Sequence, residues 1–357
     1  MFKFLRASKA KAADAAAPAP SATAATAATV GGDSPALPPR ADADTLLRRL
    51  EWTVVRRLDG LLQGDYRTLL RGFGLDLADL REYQAHDDVR YIDWNVTARL
   101  QVPHVREFQE DREVSAWFVM DLSGSVDFGS EQMRKRELAT ALAGVLARVL
   151  TRHGNRVGGI LQGRSNAKGA REEVLPARGG RRQVLHLMDR IGVMQGEPVQ
   201  PGGAPTDLGA FLRRADQVIK RRSVVFVVSD FISTPGWEKP LGLLARRHEV
   251  VAVRLYDPME RELPALGLIV MQDAETGEQI FVDTHDAGFR RRFAQQAQAR
   301  EENLREALAS AGVDCLELST AEDLPQSLLR FIDLRKRRSR LSGGASMGAG
   351  RLAELHG

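Results

Sequence analysis

The chain has 357 residues, 43% of them hydrophobic, and its 51 basic and 47 acidic side chains leave a formal net charge of +4. Charges of both signs that nearly cancel argue against a dedicated nucleic-acid groove, and the length permits either one large or two modest cores. The lone cysteine, Cys315, excludes an internal disulfide framework; within the apolar stretch 313–318 it reads as a small buried residue rather than a nucleophile.

Residues 1–42 are dominated by Ala, Thr, Pro and Ser, with no large apolar side chain recurring at a helical or strand period, so a disordered tail is expected. Lys9, Lys11 and Asp14 interrupt the uncharged run that a signal peptide requires, and Pro18 and Pro20 follow closely. No later stretch reaches the roughly 20 apolar residues that span a bilayer, so a cytoplasmic protein is expected. Between 44 and 62, Leu46, Leu47, Leu50, Val54 and Leu58 fall close to one helical face. Residues 66–113 then mix short strand-like pieces with turns such as Gly72-Phe73-Gly74. Together, 43–113 is expected to form a strand-and-turn layer packed on the domain that follows, with Tyr91 and Trp94 as anchors. His86-Asp87-Asp88 within it reads as a turn rather than a metal cluster, because adjacent residues diverge and no second His or Cys lies nearby. Arg81, Arg90, Arg99 and Arg106 either pair with Asp87, Asp88 and Asp93 in a structural network or form a docking face for an acidic partner. The sequence leaves both open.

From 114 to 336, strands expected at 115–120, 155–162, 173–175, 223–229, 249–256 and 313–318 alternate with helices at 131–152, 181–193, 207–221, 238–247, 286–311 and from 323. Such alternation predicts an α/β fold, a doubly wound and mostly parallel Rossmann-like sheet. Around Glu275-Thr276-Gly277-Glu278 the chain alternates as a hairpin would, inserted near 266–283. The basic run Arg335 to Arg340 reads as a solvated helix end favoured by the helix dipole rather than an arm for acidic lipid or nucleic acid, and 337–357 as a flexible Gly-rich tail.

The segment richest in chemical information is Asp121-Leu122-Ser123-Gly124-Ser125, where an apolar strand gives way to a loop. Side chains two residues apart project to the same side of an extended chain, so one carboxylate and two hydroxyls can converge beyond the strand's carboxyl end. Oxygen-only ligands suit a hard cation. The loop before Thr206 and the apolar strand ending in Asp230 close at the same edge of the expected sheet, which in open parallel sheets is the ligand crevice.

Asp-x-Ser-x-Ser, then Thr206 after a Gly-rich loop, then Asp230 after the next core strand, resembles the metal-ion-dependent adhesion site of von Willebrand factor A domains. That resemblance implies a divalent ion, usually Mg2+ and otherwise Mn2+ or Ca2+, held by Asp121, Ser123, Ser125, Thr206 and Asp230 and completed by a carboxylate from a protein partner. A second resemblance covers about 72–334: Leu80-Arg81-Glu82-Tyr83-Gln84, Asp87 to Trp94, Ala98-Arg99, Val105 to Phe108, Asp257-Pro258-Met259-Glu260 and Asp273 to Gly277 are similar to the DUF58 family. It implies a partnership with a MoxR-type AAA+ ATPase. Many such relatives begin with two membrane helices, and this sequence shows none.

Enzymatic patterns are missing. No Walker phosphate loop occurs, and His153, His186 and His248 lie far apart in sequence. An aspartyl-phosphate mechanism would place a second Asp where Ser123 stands. The expectation is therefore a non-enzymatic, metal-dependent binding protein; a metal-independent scaffold docking through 81–106 and a metal-dependent phosphatase are the alternatives.

Overall fold

The computed structural model describes residues 5–9, 43–55, 79–84, 89, 92–107, 115–129, 133–166, 169–195, 205–273 and 279–349. In chain order its elements are β1 (Leu5–Lys9), α1 (Ala43–Leu50, continued by a π turn over Glu51–Val55), β2 (Asp79–Glu82), α2 (Trp94–Leu100), β3 (His104–Glu107) and β4 (Ser115–Asp121). Then come α3 (Lys135–Arg152), β5 (Arg156–Asn166), β6 (Gly169–Arg178), α4 (Arg181–Gln195), α5 (Leu208–Val218), β7 (Val224–Ser229), α6 (Glu238–Arg247) and β8 (Glu249–Tyr256). The hairpin β9 (Leu268–Asp273) and β10 (Gln279–Asp283) precedes α7 (Ala287–Ser310), β11 (Asp314–Ser319) and α8 (Leu324–Ala349).

Every residue of β7 is buried, as a strand without polar alternation must be, and this requires cover on both faces. The sheet runs β11-β8-β7-β4-β5-β6, parallel throughout except for the edge strand β6. From β4 the chain adds β5 and β6 on one side, then crosses to add β7, β8 and β11 on the other. The order thus reverses between β4 and β7, and the carboxyl ends of these two strands flank the crevice of a doubly wound sheet. This is the expected α/β architecture, a doubly wound and mostly parallel sheet.

Alternation along the central strands feeds two cores. Ala116, Phe118, Met120, Phe226 and Val228 share one with α1, α3, α4 and α8; Val119, Val225 and Val227 share the other with α5, α6 and α7. Phe118 stacks on Phe226 across the strand pair, with ring centroids 5.2 Å apart. On the first face the helices come very close. A Cβ at Gly144 of α3 would lie 3.0 Å from Met188 Sδ and 3.3 Å from Leu50 Cδ1, so the missing side chain is what lets α1 and α4 approach. The expected apolar face of α1 is present: Leu47, Leu50 and Val54 are buried and Leu46 partly so, while Leu58 lies outside the described residues.

Several local expectations need correction. Leu5–Lys9, in the tail expected to be disordered, forms β1 and pairs antiparallel with β9; short-range periodicity cannot reveal a strand whose partner lies near the other end of the chain. The helix α8 runs on to Ala349, through Gly343 and Gly344, although each glycine lowers helix propensity by about 1 kcal/mol. Arg335 is no free helix end: it pairs with Glu249 and with Asp314, joining α8 to β8 and β11. Trp94 does not anchor the N-terminal layer, since it is 70% exposed on α2. Asp93 caps that helix through Val96 N–H, and Tyr91, Arg90 and His86 to Asp88 lie outside the described residues. Cys315 is partly rather than fully buried. The hairpin β9–β10 is present, with Leu268 opposite Asp283, and its expected turn at 275–278 is likewise undescribed.

Candidate functional site

Asp121 is the last residue of β4 and wholly buried. Its Oδ1 accepts the Ser123 N–H at 3.0 Å, and its Oδ2 accepts the Ser229 hydroxyl from the end of β7 at 2.8 Å. Ser123 is extended (φ −62°, ψ 175°), and the 3-10 turn Gly124–Asp127 begins directly after it. That change of course folds Ser125 back, so the two serine hydroxyls lie 3.1 Å apart. Ser123, Ser125, Thr206 and Asp230 are all at most 6% exposed.

Asp230 is placed by a strained turn. Phe231 has φ of 58°, the left-handed region that costs a bulky side chain on the order of 1–3 kcal/mol. The conformation is held on three sides: Phe231 N–H donates to the Ser229 hydroxyl at 2.9 Å, Ile232 N–H to Asp230 Oδ1 at 3.0 Å, and the Phe231 ring packs 5.2 Å from Trp237. Thr206 enters from the loop before α5. Its carbonyl accepts Thr234 N–H at 3.0 Å, tying this loop to the one after Asp230, while Asp207 caps α5 through Ala210 N–H. Ser123, Ser125 and Asp121 are thus brought together directly, Asp230 stands beside them, and Thr206 is joined through the 231–234 loop.

Two further residues belong to the site and escaped the sequence reading. Lys135, wholly buried, donates from Nζ to Asp230 Oδ2 at 2.9 Å and lies 2.6 Å from Glu260 Oε1. A lysine as first residue of a helix opposes the dipole, and that anomaly was the signal available for it. Glu260 carried none. Burial, and then the Asp230 charge, push the Asp121 carboxyl up to about 6. Burial also raises Glu260, against the pull of Lys135. Burial alone would lower the Lys135 ammonium, but Asp230 and Glu260 together outweigh it and raise it.

At the rim, Asp127 receives Arg136 and Arg164 at 2.9 Å each and Arg134 at 3.5 Å, leaving an excess of positive charge two residues beyond Ser125.

Among the described residues no group of three His, Cys, Asp or Glu side chains surrounds a common point. A cation here would therefore depend on hydroxyl and amide oxygens beside Asp121. One such oxygen has no other role: Gln162, opposite Asp121 on β5, is 6% exposed and its Oε1 has no hydrogen-bond partner. The all-oxygen donor set and this orphaned acceptor fit a hard divalent ion.

Comparison with known proteins gives the family. Residues 79–303 match the family described as "Protein of unknown function DUF58". The uncharacterized proteins Mb1516 of Mycobacterium bovis and Rv1480 of Mycobacterium tuberculosis are each 38% identical over 291 residues, covering 82% of this chain and 89% of theirs. Among solved structures, BatB from Bacteroides thetaiotaomicron aligns at 13% identity with a TM-score of 0.36, and an aerotolerance-related membrane protein from Bacteroides fragilis at 16% and 0.39. Each alignment covers 63% of this chain and 99% of that one. No helix among the described residues is long and apolar enough to cross a membrane. On the extent of both matches, the chain belongs to the DUF58 family.

Proposed function

We propose that this protein is a non-enzymatic adaptor in which a divalent cation, Mg2+ before Mn2+ or Ca2+, is held by Asp121, Ser123 and Ser125, with Thr206 and Asp230 binding directly or through water, and bridges to a partner's Asp or Glu. The observation that carries the reading is the buried meeting of one carboxylate and two hydroxyls at the carboxyl ends of β4 and β7. Neutral hydroxyls leave much of an ion's charge uncompensated, which favours an acidic ligand from outside. The guanidinium-rich rim around Asp127 supports an acidic partner for the same reason. Resemblance to the family makes a MoxR-type AAA+ ATPase the partner to test. Calorimetry of Mg2+ and Mn2+ binding should give a clear heat for the wild type and none for Asp121→Ala; equal affinities end this reading. Co-purification of the ATPase should likewise require Mg2+.

A second reading has one observation in its favour. Trp94 stands 70% exposed on α2, beside the arginine-bearing strands β2 and β3, as an ion-independent docking face would present it. Partner retained under a chelator and lost in Trp94→Ala would select that reading.

A further inference from the structure

We infer that Gln162 supplies an uncharged oxygen to the cation site, as a ligand of the ion or of its bound water; this rests on the cation reading above. The argument begins with sheet geometry. β4 and β5 are parallel and in register, with Trp117 opposite Gly158, Val119 opposite Ile160 and Asp121 opposite Gln162. Paired side chains share a face. A Cβ on Gly158 would lie 2.8 Å from the Trp117 ring, and Val119 and Ile160 belong to the same core. Two residues further along, the Gln162 amide and the Asp121 carboxylate therefore leave neighbouring strands in the same direction, about 5 Å apart at their bases. Ser229, hydrogen-bonded to Asp121 from β7, completes a polar row across the crevice.

Gln162 Oε1 is buried without a partner, and Asp121, its neighbour across the strands, is an acceptor itself when ionised. Two buried acceptors side by side call for positive charge or a donor between them. The nearby ammonium does not fill that role, because Lys135 is bound to Asp230 and Glu260. Amide oxygens are ordinary ligands for hard cations and add no charge of their own, so a Gln162 ligand leaves the ion attractive to an outside carboxylate.

The test uses the full chain and Mn2+ alone, read by calorimetry, with thermal unfolding in the ion-free state alongside. Gln162→Leu removes the orphaned acceptor without opening a large cavity. Its ion-free midpoint should rise, while Mn2+ affinity should fall roughly 10- to 100-fold, the usual effect of losing a residue that supports a metal site. Gln162→Glu, isosteric and charged, should bind Mn2+ more tightly than the wild type. Wild-type affinity in both variants, with binding abolished in Asp121→Ala, overturns the role of Gln162 and leaves the cation site standing. A fall of ion-free midpoint and affinity together in Gln162→Leu would make Gln162 a packing residue and also overturn it. Equal binding in all three variants overturns the cation reading itself.

Discussion

Lys135→Met should strip the buried Asp230 and Glu260 of their counter-charge while nearly preserving volume. With Nζ at 2.9 and 2.6 Å from the two carboxylates, an effective dielectric near 20 gives roughly 6 kcal/mol of attraction per pair, most of it offset by the desolvation of all three groups. What remains after truncation is the penalty of buried charge without a partner, about 3–5 kcal/mol. That is a large part of the 5–15 kcal/mol typical of a folded domain. Urea unfolding followed by circular dichroism at pH 7 should show this loss as a lower midpoint at unchanged slope, and thermal unfolding as a fall of roughly 6–20 °C. The companion variant Lys135→Met/Asp230→Asn/Glu260→Gln keeps the shapes and removes the charges, and should recover most of the loss. A single variant within about 1 kcal/mol of the wild type would refute the reasoning, because the ammonium could then not be neutralising this pocket.

Three other outcomes follow from the same electrostatics. Because the Asp121 carboxyl is raised to about 6, the folded chain keeps a proton that the unfolded chain has released; stability from this group is present below about pH 4 and lost as pH rises through 6. Asp121→Asn should flatten that part of the stability profile, and Mn2+ binding to the wild type should weaken below pH 6, where a proton competes. Burial, reinforced by the Arg247 charge and opposed by Asp216, lowers the His248 pKa, and neither ring nitrogen has a partner. The chain should therefore lose stability as pH falls below about 6.5, since only the unfolded imidazole charges readily; the slope should shrink in His248→Phe. Burial pushes the Cys315 thiol up to about 12, so iodoacetamide at pH 8 should label it only after denaturation, and rapid labelling of native protein would contradict the packing described.

The parts legible in the sequence are those whose causes are local. β7 and β8 were readable to within a residue because continuous apolar runs such as Val224 to Val228 signal strands covered on both faces. Asp121, Ser123 and Ser125 were readable because their spacing alone decides that they can converge. Lys135, Glu260 and Gln162 were not, since each reaches the site only through the sheet order: α3 returns over β4, the turn after β8 folds back beside β7, and β5 sets Gln162 opposite Asp121. Trp94 misled for a related reason. An aromatic ring in a charged segment suits an anchor on sequence grounds, and only the fold shows that it stands 70% exposed.

Four departures from ordinary local energetics gather at the ends of β4, β5 and β7: the left-handed Phe231, the lysine at a helix start, the unpartnered Gln162 oxygen and the raised Asp121 carboxyl. They differ in what would relieve them. Phe231 and Lys135 are compensated inside the ion-free fold, by the Ser229 and Trp237 contacts in one case and by Asp230 and Glu260 in the other. The Gln162 oxygen has no such compensation, and Asp121, although it accepts the Ser123 N–H and the Ser229 hydroxyl, still has its carboxyl raised; positive charge placed between them would relieve both. The first pair therefore fixes the frame, including the direction in which Asp230 points, and the second marks where the proposed cation would gain most. Packing defects scattered by chance have no reason to divide in this way, whereas the proposed cation site would be held rigid on one side and would draw, on the other, part of its binding free energy from relieving these groups.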